Sequence, residues 1–300
     1  MMLSYRHGYH VGNRADVLKH TVLVHCLCHL VQKSRPSLFL DAFAGAGSYR
    51  LGDGYSEKTK EWKDGIGRLL DEDTSPPSLI SAYLEVVKRF NGEAAVQAER
   101  AVDNGKKEST FFHYPGSPAL MRAFARAEDR LVLHDLHGSE IDNLRRLFRN
   151  RRHCAVLKTD GVQGLIAETP PREKRGLFFV DPSYEMKDDW DRVPHGVLKA
   201  WRRFSAGLFV VWYPVIERAR AENLVARFVI NGVAKCYQVE MNWDSDKTDK
   251  GMTGAGLLLI NPPYTLAGAV EEALPWLADR LGATGPCFGR QLTDDGGNMA

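Results

Sequence analysis

The chain has 300 residues, 44% of them hydrophobic, so it can bury the core of one α/β domain with an insertion or of two small domains. Its net charge is only +2, from 40 lysines and arginines against 38 acidic residues, so any basic surface for a nucleic acid must be local. Five scattered cysteines without a C-x-x-C pair argue against a disulfide framework or a zinc site.

No metal site and no membrane segment are predicted. His25 and His29 have helical i, i+4 spacing, but no H-E-x-x-H motif or carboxylate partner accompanies them. The longest apolar stretch, AGLFVVWYPVI, is far shorter than the ~20 residues of a membrane span. The first ten residues, MMLSYRHGYH, contain no apolar core of a signal peptide. We therefore expect a soluble, cytoplasmic protein.

The first predicted elements are an aromatic, basic segment over residues 1–12 and a long helix. Asn13, with Asp16 three residues later, is typical of a helix N-cap with an acidic first turn. Apolar residues then keep helical spacing to about Lys33, and Arg35-Pro36 ends the helix.

Seven strands are predicted along the rest of the chain. Five, at 37–43, 129–136, 153–160, 176–182 and 206–214, are linked through helices, which predicts parallel crossovers. Two more, at 233–243 and 254–261, are joined by a polar loop and are expected to form an antiparallel hairpin. This is the pattern of the Rossmann-like sheet of class I methyltransferases that use S-adenosyl-L-methionine (AdoMet), with the last strand antiparallel.

The segment 52–114 interrupts this pattern with helical spacings that are broken by Ser75-Pro76-Pro77. A structureless loop of this length is rare in a compact fold, so we predict an inserted helical subdomain. The main domain then comprises 1–51 and 115–285, and 286–300 is expected to be a flexible tail.

Three strand ends carry residues that suit a nucleotide-like cofactor. In DAFAGAG (Asp41 to Gly47), Gly45 and Gly47 allow a sharp turn and a close ligand approach. The third glycine of a nicotinamide-dinucleotide fingerprint is missing, which weakens an oxidoreductase interpretation. Asp135 ends the second strand, where it suits ribose hydroxyls, and Asp160-Gly161 end the third, near an adenine edge. Together they predict a cofactor site on one rim of the sheet.

Two further motifs compete for the catalytic role. Asp181-Pro182-Ser183-Tyr184 follows the fourth strand, and Asn261-Pro262-Pro263-Tyr264 follows the last. An exocyclic base amine is a poor nucleophile, which a carboxylate and a carbonyl that accept its N–H groups can orient for attack. Asp181, the Pro182 carbonyl and a stacking Tyr184 supply these parts. Because an antiparallel last strand ends at the opposite rim, we predict that Asp181 is catalytic and Asn261 is not.

The chain resembles the bacterial 23S ribosomal RNA adenine-N6 methyltransferases of the RlmJ type. The resemblance rests on LSYRHGYHVGNRADVLKHT, DAFAGAG, YPGSP, KTDG, DPSYEMK, LFVVWYPV, GMTGAG and INPP, from residue 3 to about 277. It implies AdoMet as the cofactor, an inserted helical subdomain, and a monomer that acts on 23S ribosomal RNA in a protein-free or early assembly form.

Site residues follow from the resemblance by position. The implied AdoMet contacts are His20, Phe43, Gly45, Ser117, Asp135, Asp160, Gly161 and Asp181. Tyr5 is implied to contact RNA. Three positions depart from the family pattern: Phe43 replaces a histidine, Asp135 a glutamate, and Ser183 the second proline of the catalytic motif.

Two other functions stay open at this point. The D/N-P-P-Y motif class also occurs in DNA adenine methyltransferases, although no target-recognition domain is evident here. A non-catalytic RNA-binding chaperone is the other, with Ser183 and Phe43 as signs of a degenerate site. The arginines of LRRLFRNRR (144–152) are read as a solvated surface, with a phosphate track as the alternative.

Overall fold

The computed structural model describes residues 7–51, 54–70, 75–101, 113–244 and 251–300. Its strands are β1 (Leu38–Asp41), β2 (Ser48–Arg50), β3 (His113–Pro115), β4 (Arg130–His134), β5 (Cys154–Leu157), β6 (Gly176–Val180), β7 (Leu208–Val215), β8 (Cys236–Asn242), β9 (Gly254–Ile260) and β10 (Cys287–Gln291). Its α-helices are α1 (Arg14–Val31), α2 (Gly54–Thr59), α3 (Ser78–Ala101), α4 (Ser117–Phe124), α5 (Gly138–Phe148), α6 (Gly161–Ala167), α7 (Asp189–Arg203), α8 (Arg218–Ile230) and α9 (Leu266–Leu281). Short 3-10 helices span His7–Tyr9, Glu61–Lys63 and Ile66–Leu69.

In the described residues, one large mixed sheet has the strand order β10-β8-β9-β7-β6-β1-β4-β5. Neighbours among β5, β4, β1, β6 and β7 are parallel, while β9 is antiparallel to both β7 and β8. The central strands are uninterrupted apolar runs, such as GLFFV in β6, because helices cover both faces of such a sheet. The predicted Rossmann-like methyltransferase fold with an antiparallel last strand is confirmed.

Part of the segment 286–300, which was expected to be a flexible tail, forms β10, and the flexibility itself stays a prediction. This strand pairs antiparallel with β8, which would otherwise be the edge of the sheet. An unpaired edge leaves a row of backbone donors and acceptors without partners, and β10 supplies them. Its side chains are half-buried or exposed, so the sequence carries little of the apolar alternation from which strands are predicted.

Between β1 and its crossover helix α4, the chain leaves the large sheet. The loop that follows β1, Ala42 to Gly47, which we call the glycine loop, leads into β2. This strand pairs with β3 in a separate two-stranded sheet, and α2, the 3-10 helices Glu61–Lys63 and Ile66–Leu69, and α3 lie between β2 and β3 along the chain. Tyr83 and Ile80 of α3 are fully buried in the same core as Leu23 and Leu27 of α1. The helical segment is thus built onto the main domain, and its folding as a separate subdomain stays a prediction.

Helix α1 begins as predicted, with the Asn13 side chain accepting a hydrogen bond from the Asp16 backbone N–H. It packs against β6, β9, α3 and α4, and the whole run from Asp16 to Val24 is buried. Charged residues of this run therefore lie inside the protein. No helix in the described part of the chain has the length and apolarity to cross a bilayer.

Candidate active site

A cavity of about 420 Å³ lies where the parallel strands end, a volume in the range of small-molecule sites. We call it the rim cavity. The predicted site residues that line it are His20, Phe43, Gly45, Ser117, Asp135, Asp160, Gly161, Asp181 and Pro182. Tyr184 is not among its lining residues, and Tyr5 falls outside the described part of the chain.

Asp135 joins the glycine loop to the end of β4. Its two carboxylate oxygens accept hydrogen bonds from the backbone N–H groups of Gly45 (2.9 Å) and His137 (2.7 Å). Gly45 has a φ of +58°, a region in which other residues are strained. Burial raises the pKa of Asp135. Since each oxygen has a further lone pair, the carboxylate can still accept from a diol in the cavity.

Asp160 and Gly161 form the start of α6. The Asp160 side chain caps the helix by accepting from the Gln163 N–H, and its other oxygen pairs with Arg192. A Cβ at Gly161 would lie 1.7 Å from the backbone oxygen of Ala42, so only glycine fits here. This close approach holds α6 against the end of β1 and shapes the cavity wall. Arg192, which also pairs with Asp189, was not found from the sequence.

His20 reaches the cavity from α1 and is nearly fully buried. Its Nδ1 lies 2.8 Å from the Tyr114 hydroxyl, which lies 2.8 Å from the Tyr83 hydroxyl. This buried chain of polar groups fixes the imidazole plane by connecting α1, β3 and α3. The helical segment between β2 and β3 therefore contributes to the cavity wall through its hydrogen bonds.

Asp181 is held by a lysine that sequence reasoning missed. Lys19 Nζ lies 2.6 Å from Asp181 Oδ2 and 2.7 Å from Asp16 Oδ1, with side-chain exposures of 4%, 13% and 1% for the lysine, Asp181 and Asp16. The ammonium also lies 5.3 Å from the centroid of the Trp212 ring. The sequence did contain a signal for this pair: Asp16 and Lys19, of opposite charge, are three residues apart on the apolar side of α1, where charged residues must be paired.

Asp41, at the end of β1, is a second missed group. The side chain is fully buried, and one of its oxygens accepts from the Phe43 N–H at 3.1 Å. Burial raises its pKa to about 7, although hydrogen bonds from Ser117 and Phe43 oppose this. The carboxyl therefore holds its proton up to near neutral pH, at the point where β1 leads into the loop DAFAGAG.

Tyr184 is buried among aromatic residues next to the loop that lines the rim cavity. Its side chain is 6% exposed, its hydroxyl donates to the Trp212 carbonyl at 2.9 Å, and its ring lies 4.6 Å from Trp190 and 5.9 Å from Trp212. Because aromatic neighbours and a backbone acceptor satisfy it, the residue supports the loop of Asp181, Pro182 and Ser183 in this structure, and its stacking on a base stays a prediction. Ser183 lines the cavity between Pro182 and Tyr184.

The competing motif lies at the opposite end of the strands, beside the N-terminal end of β7. The Asn261 amide donates to the backbone oxygens of Ser205 and Gly207, both at 2.8 Å, just before β7 begins. Ile260 pairs with Phe209 at the start of β7, as the antiparallel arrangement requires. Asn261 thus ends a strand far from the rim cavity, while the Tyr264 side chain is 87% exposed.

The residues around the rim cavity fit AdoMet. Asp135 keeps lone pairs that would accept hydrogen bonds from ribose hydroxyls, and the contact of Asp160 and Gly161 with an adenine edge stays a prediction. At Gly45 and Gly161 a Cβ would collide with the Tyr49 hydroxyl and the Ala42 backbone oxygen, so these two glycines let the wall of the cavity pack closely. Within the described residues, no group of three or more histidine, cysteine or acidic side chains could hold a metal ion.

Comparisons with known proteins identify the family of this chain. The family model described as "Ribosomal RNA large subunit methyltransferase D, RlmJ" matches residues 34–289. Two relatives named "Ribosomal RNA large subunit methyltransferase J", from Escherichia coli and Haemophilus influenzae, are 39% and 38% identical over 280 residues, which is 93% of this chain and 94% of each relative. The crystal structure of protein LPL1258 from Legionella pneumophila has a TM-score of 0.81 and 34% identity, and the match covers 94% of this chain and 98% of that one.

The match to the family model extends over most of the chain, and both relatives exceed 30% identity over nearly their whole length. The chain therefore belongs to the RlmJ family of ribosomal RNA large subunit methyltransferases, enzymes that transfer a methyl group from AdoMet to ribosomal RNA.

Proposed function

We propose that the protein methylates the exocyclic N6 of one adenine in 23S ribosomal RNA, with Asp181 and the Pro182 carbonyl orienting the amine. The supporting observation is that Asp181 and Pro182 line the same cavity as Gly45, Asp135 and Asp160. A methyl donor and an amine must meet in line, so the groups that hold each have to share one cavity.

The chemistry assigned to the chain is positioning and proton acceptance. AdoMet, when bound, supplies an electrophilic methyl group on a sulfonium. Asp181 accepts one N–H of the adenine amine and the Pro182 carbonyl accepts the other, which directs the nitrogen lone pair away from the ring. As the new N–C bond forms, the bond from the methyl group to sulfur breaks and leaves a neutral thioether; the amine loses a proton, which Asp181 can accept.

Lys19 orients Asp181 in this proposal. Its ammonium occupies one lone pair of Oδ2 at 2.6 Å, so the carboxylate keeps one orientation and its other oxygen remains for the amine. The lysine is itself anchored by Asp16, which keeps it from following the carboxylate when substrate enters. This arrangement preorganises the acceptor before the base arrives.

The finer assignments rest on the family resemblance. They are the 23S RNA in a protein-free or early assembly form as substrate, a monomeric enzyme in the cytoplasm, and Tyr5 as an RNA contact. The same applies to the AdoMet contacts of His20, Phe43 and Ser117.

The test is methyl transfer from labelled AdoMet to purified 23S RNA, followed by digestion and identification of the methylated nucleoside. We expect N6-methyladenosine at a single position, and loss of that mark in RNA from a strain without the protein. Label in another nucleoside, or in duplex DNA instead of RNA, would refute the assignment.

A further inference from the structure

A second cavity, of about 580 Å³, lies between the end of α4 and the end of α5. Its cationic lining residues are Arg122, Arg146, Arg149, Arg151 and Arg152, and we call it the arginine cavity. Ala127, Leu147 and Asn150 also line it, and none of the described lining residues is acidic. In a chain with 40 basic and 38 acidic residues, this is a marked local separation of charge.

The acidic residues nearby have other partners. Asp129 and Glu128 pair with Arg126 at 2.9 and 3.5 Å, and Asp142 faces Arg145. Neither of these arginines lines the cavity. In contrast, the exposed Arg122, Arg149 and Arg152 form no ion pair with any residue in the described ranges. Their positive charge is therefore left for a ligand from outside.

Arg151 gives the cavity a fixed floor. One terminal nitrogen donates to the backbone oxygens of Ala125 (2.9 Å) and Arg126 (3.0 Å), and its buried Nε has no partner in the described residues. Burial lowers the pKa of Arg151, and the nearby positive charge of Arg122 lowers it further. Such an uncompensated cluster is repulsive, and an anion between the guanidinium groups would relieve the repulsion.

The guanidinium groups of the arginine cavity indicate which kind of anion it binds. A guanidinium is a planar fork that matches phosphate oxygens with two parallel hydrogen bonds. Arg146 donates to the Asn143 side chain and Arg151 to two backbone oxygens, but the three exposed guanidinium groups of Arg122, Arg149 and Arg152 still exceed what a single phosphate needs and suit a chain of phosphates. We propose that the arginine cavity binds phosphates of the RNA backbone at a distance from the methylated nucleotide, an inference that rests on the proposed RNA substrate.

Helix α5 connects the two cavities. His137 and Glu140, at its start, line the rim cavity, and Leu147, near its end, lines the arginine cavity. Eleven residues of α-helix rise about 16 Å, so an RNA that fills both cavities must extend at least this far beyond the target adenine. A structured RNA spans this distance, whereas a mononucleotide does not.

The experiment compares RNA affinity across a salt series for wild type and the Arg149→Gln/Arg152→Gln variant, with an in vitro transcript of a 23S RNA fragment that carries the target. We expect about tenfold weaker binding at low salt and a decrease of roughly 1–2 in the slope of log affinity against log salt. The kcat for transfer should stay within twofold and KM for the transcript should rise, because these residues lie away from the rim cavity.

The matched control is Arg145→Gln/Arg220→Gln, which removes the same charge from exposed arginines that pair with acids on or next to their own helix. Unchanged affinity and slope in the Arg149→Gln/Arg152→Gln variant, or an equal loss in the control, would overturn the inference. Binding is measured without turnover, so this outcome is distinct from failure of methyl transfer.

A titration with inorganic phosphate distinguishes binding of RNA phosphates from binding of free phosphate. Titrated into the RNA-binding assay at constant ionic strength, it should compete only weakly, since one phosphate engages few of the five arginines. Saturable phosphate binding that the double substitution abolishes, together with unchanged RNA affinity, would assign the cavity to free phosphate and refute RNA binding.

Discussion

Replacing Lys19 by Met tests both the stability and the preorganisation of the active site. The substitution leaves Asp16 and Asp181 without their shared partner, at side-chain exposures of only 1% and 13%. Breaking a buried ion pair by removing one partner costs about 3–5 kcal/mol, because the remaining charge is desolvated. Since Asp181 retains some contact with water, we expect a loss of about 3 kcal/mol in the free energy of unfolding.

Urea denaturation followed by circular dichroism measures this loss, with Lys33→Met as the control. Lys33 is exposed just beyond the same helix, so its replacement should change stability by less than about 0.5 kcal/mol. Adding Asp16→Asn to Lys19→Met should restore part of the loss, because one uncompensated charge disappears. Methyl transfer by the Lys19→Met enzyme, assayed below its melting temperature, should fall at least tenfold through kcat.

A Lys19→Met protein as stable as wild type would show that the buried ion pairs contribute nothing to the fold. Unchanged kcat would show that Asp181 needs no orientation by the lysine. Either result would refute the reasoning from these distances.

Three other substitutions probe the rim. Asp135→Ala should weaken AdoMet binding by about 1–3 kcal/mol in calorimetry through lost hydrogen bonds, and unchanged affinity would remove it from the ribose site. Gly161→Ala should destabilise the protein by about 3 kcal/mol or more in thermal melts, because its Cβ would lie 1.7 Å from the Ala42 oxygen; normal melting would contradict that contact. The raised pKa of Asp41, from 3.8 to about 7, favours folding below about pH 4, and this contribution is lost as pH rises towards 7. Compared with Asp41→Asn, wild type should therefore lose roughly 2–3 kcal/mol between about pH 5 and 7 in urea titrations, and parallel pH profiles would refute the assignment.

The parts of the fold that follow a local pattern were predictable from the sequence. Apolar runs separated by helices predicted the five parallel strands, and the polar connection before Gly254 predicted the antiparallel hairpin. Strand β10 was missed because its side chains are half-buried or exposed and its pairing depends on the free edge of β8. The β2–β3 pair was missed because three-residue strands carry no periodicity.

The site also contains residues that could be predicted from their order along the chain and residues that could not. Residues that follow parallel strands, such as Asp135 and Asp160, must meet at one rim, so their common cavity could be predicted from order along the chain. Lys19 was missed because its partner Asp181 is 162 residues away, which only tertiary packing reveals. The burial of Tyr184 was not predicted because it depends on Trp190 and Trp212, which no local motif encodes.

The most direct test of the central claim is labelled methyl transfer from AdoMet to protein-free 23S RNA by Asp181→Ala and Asn261→Ala, with thermal melts of both. Asp181→Ala should remain folded and show no transfer, because the acceptor of the amine N–H is gone. Asn261→Ala should stay within a few-fold of wild-type kcat, and any loss should follow the stability lost with its two hydrogen bonds to the backbone before β7. A folded Asn261→Ala protein without activity, or an active Asp181→Ala protein, would contradict a catalytic site at the rim cavity.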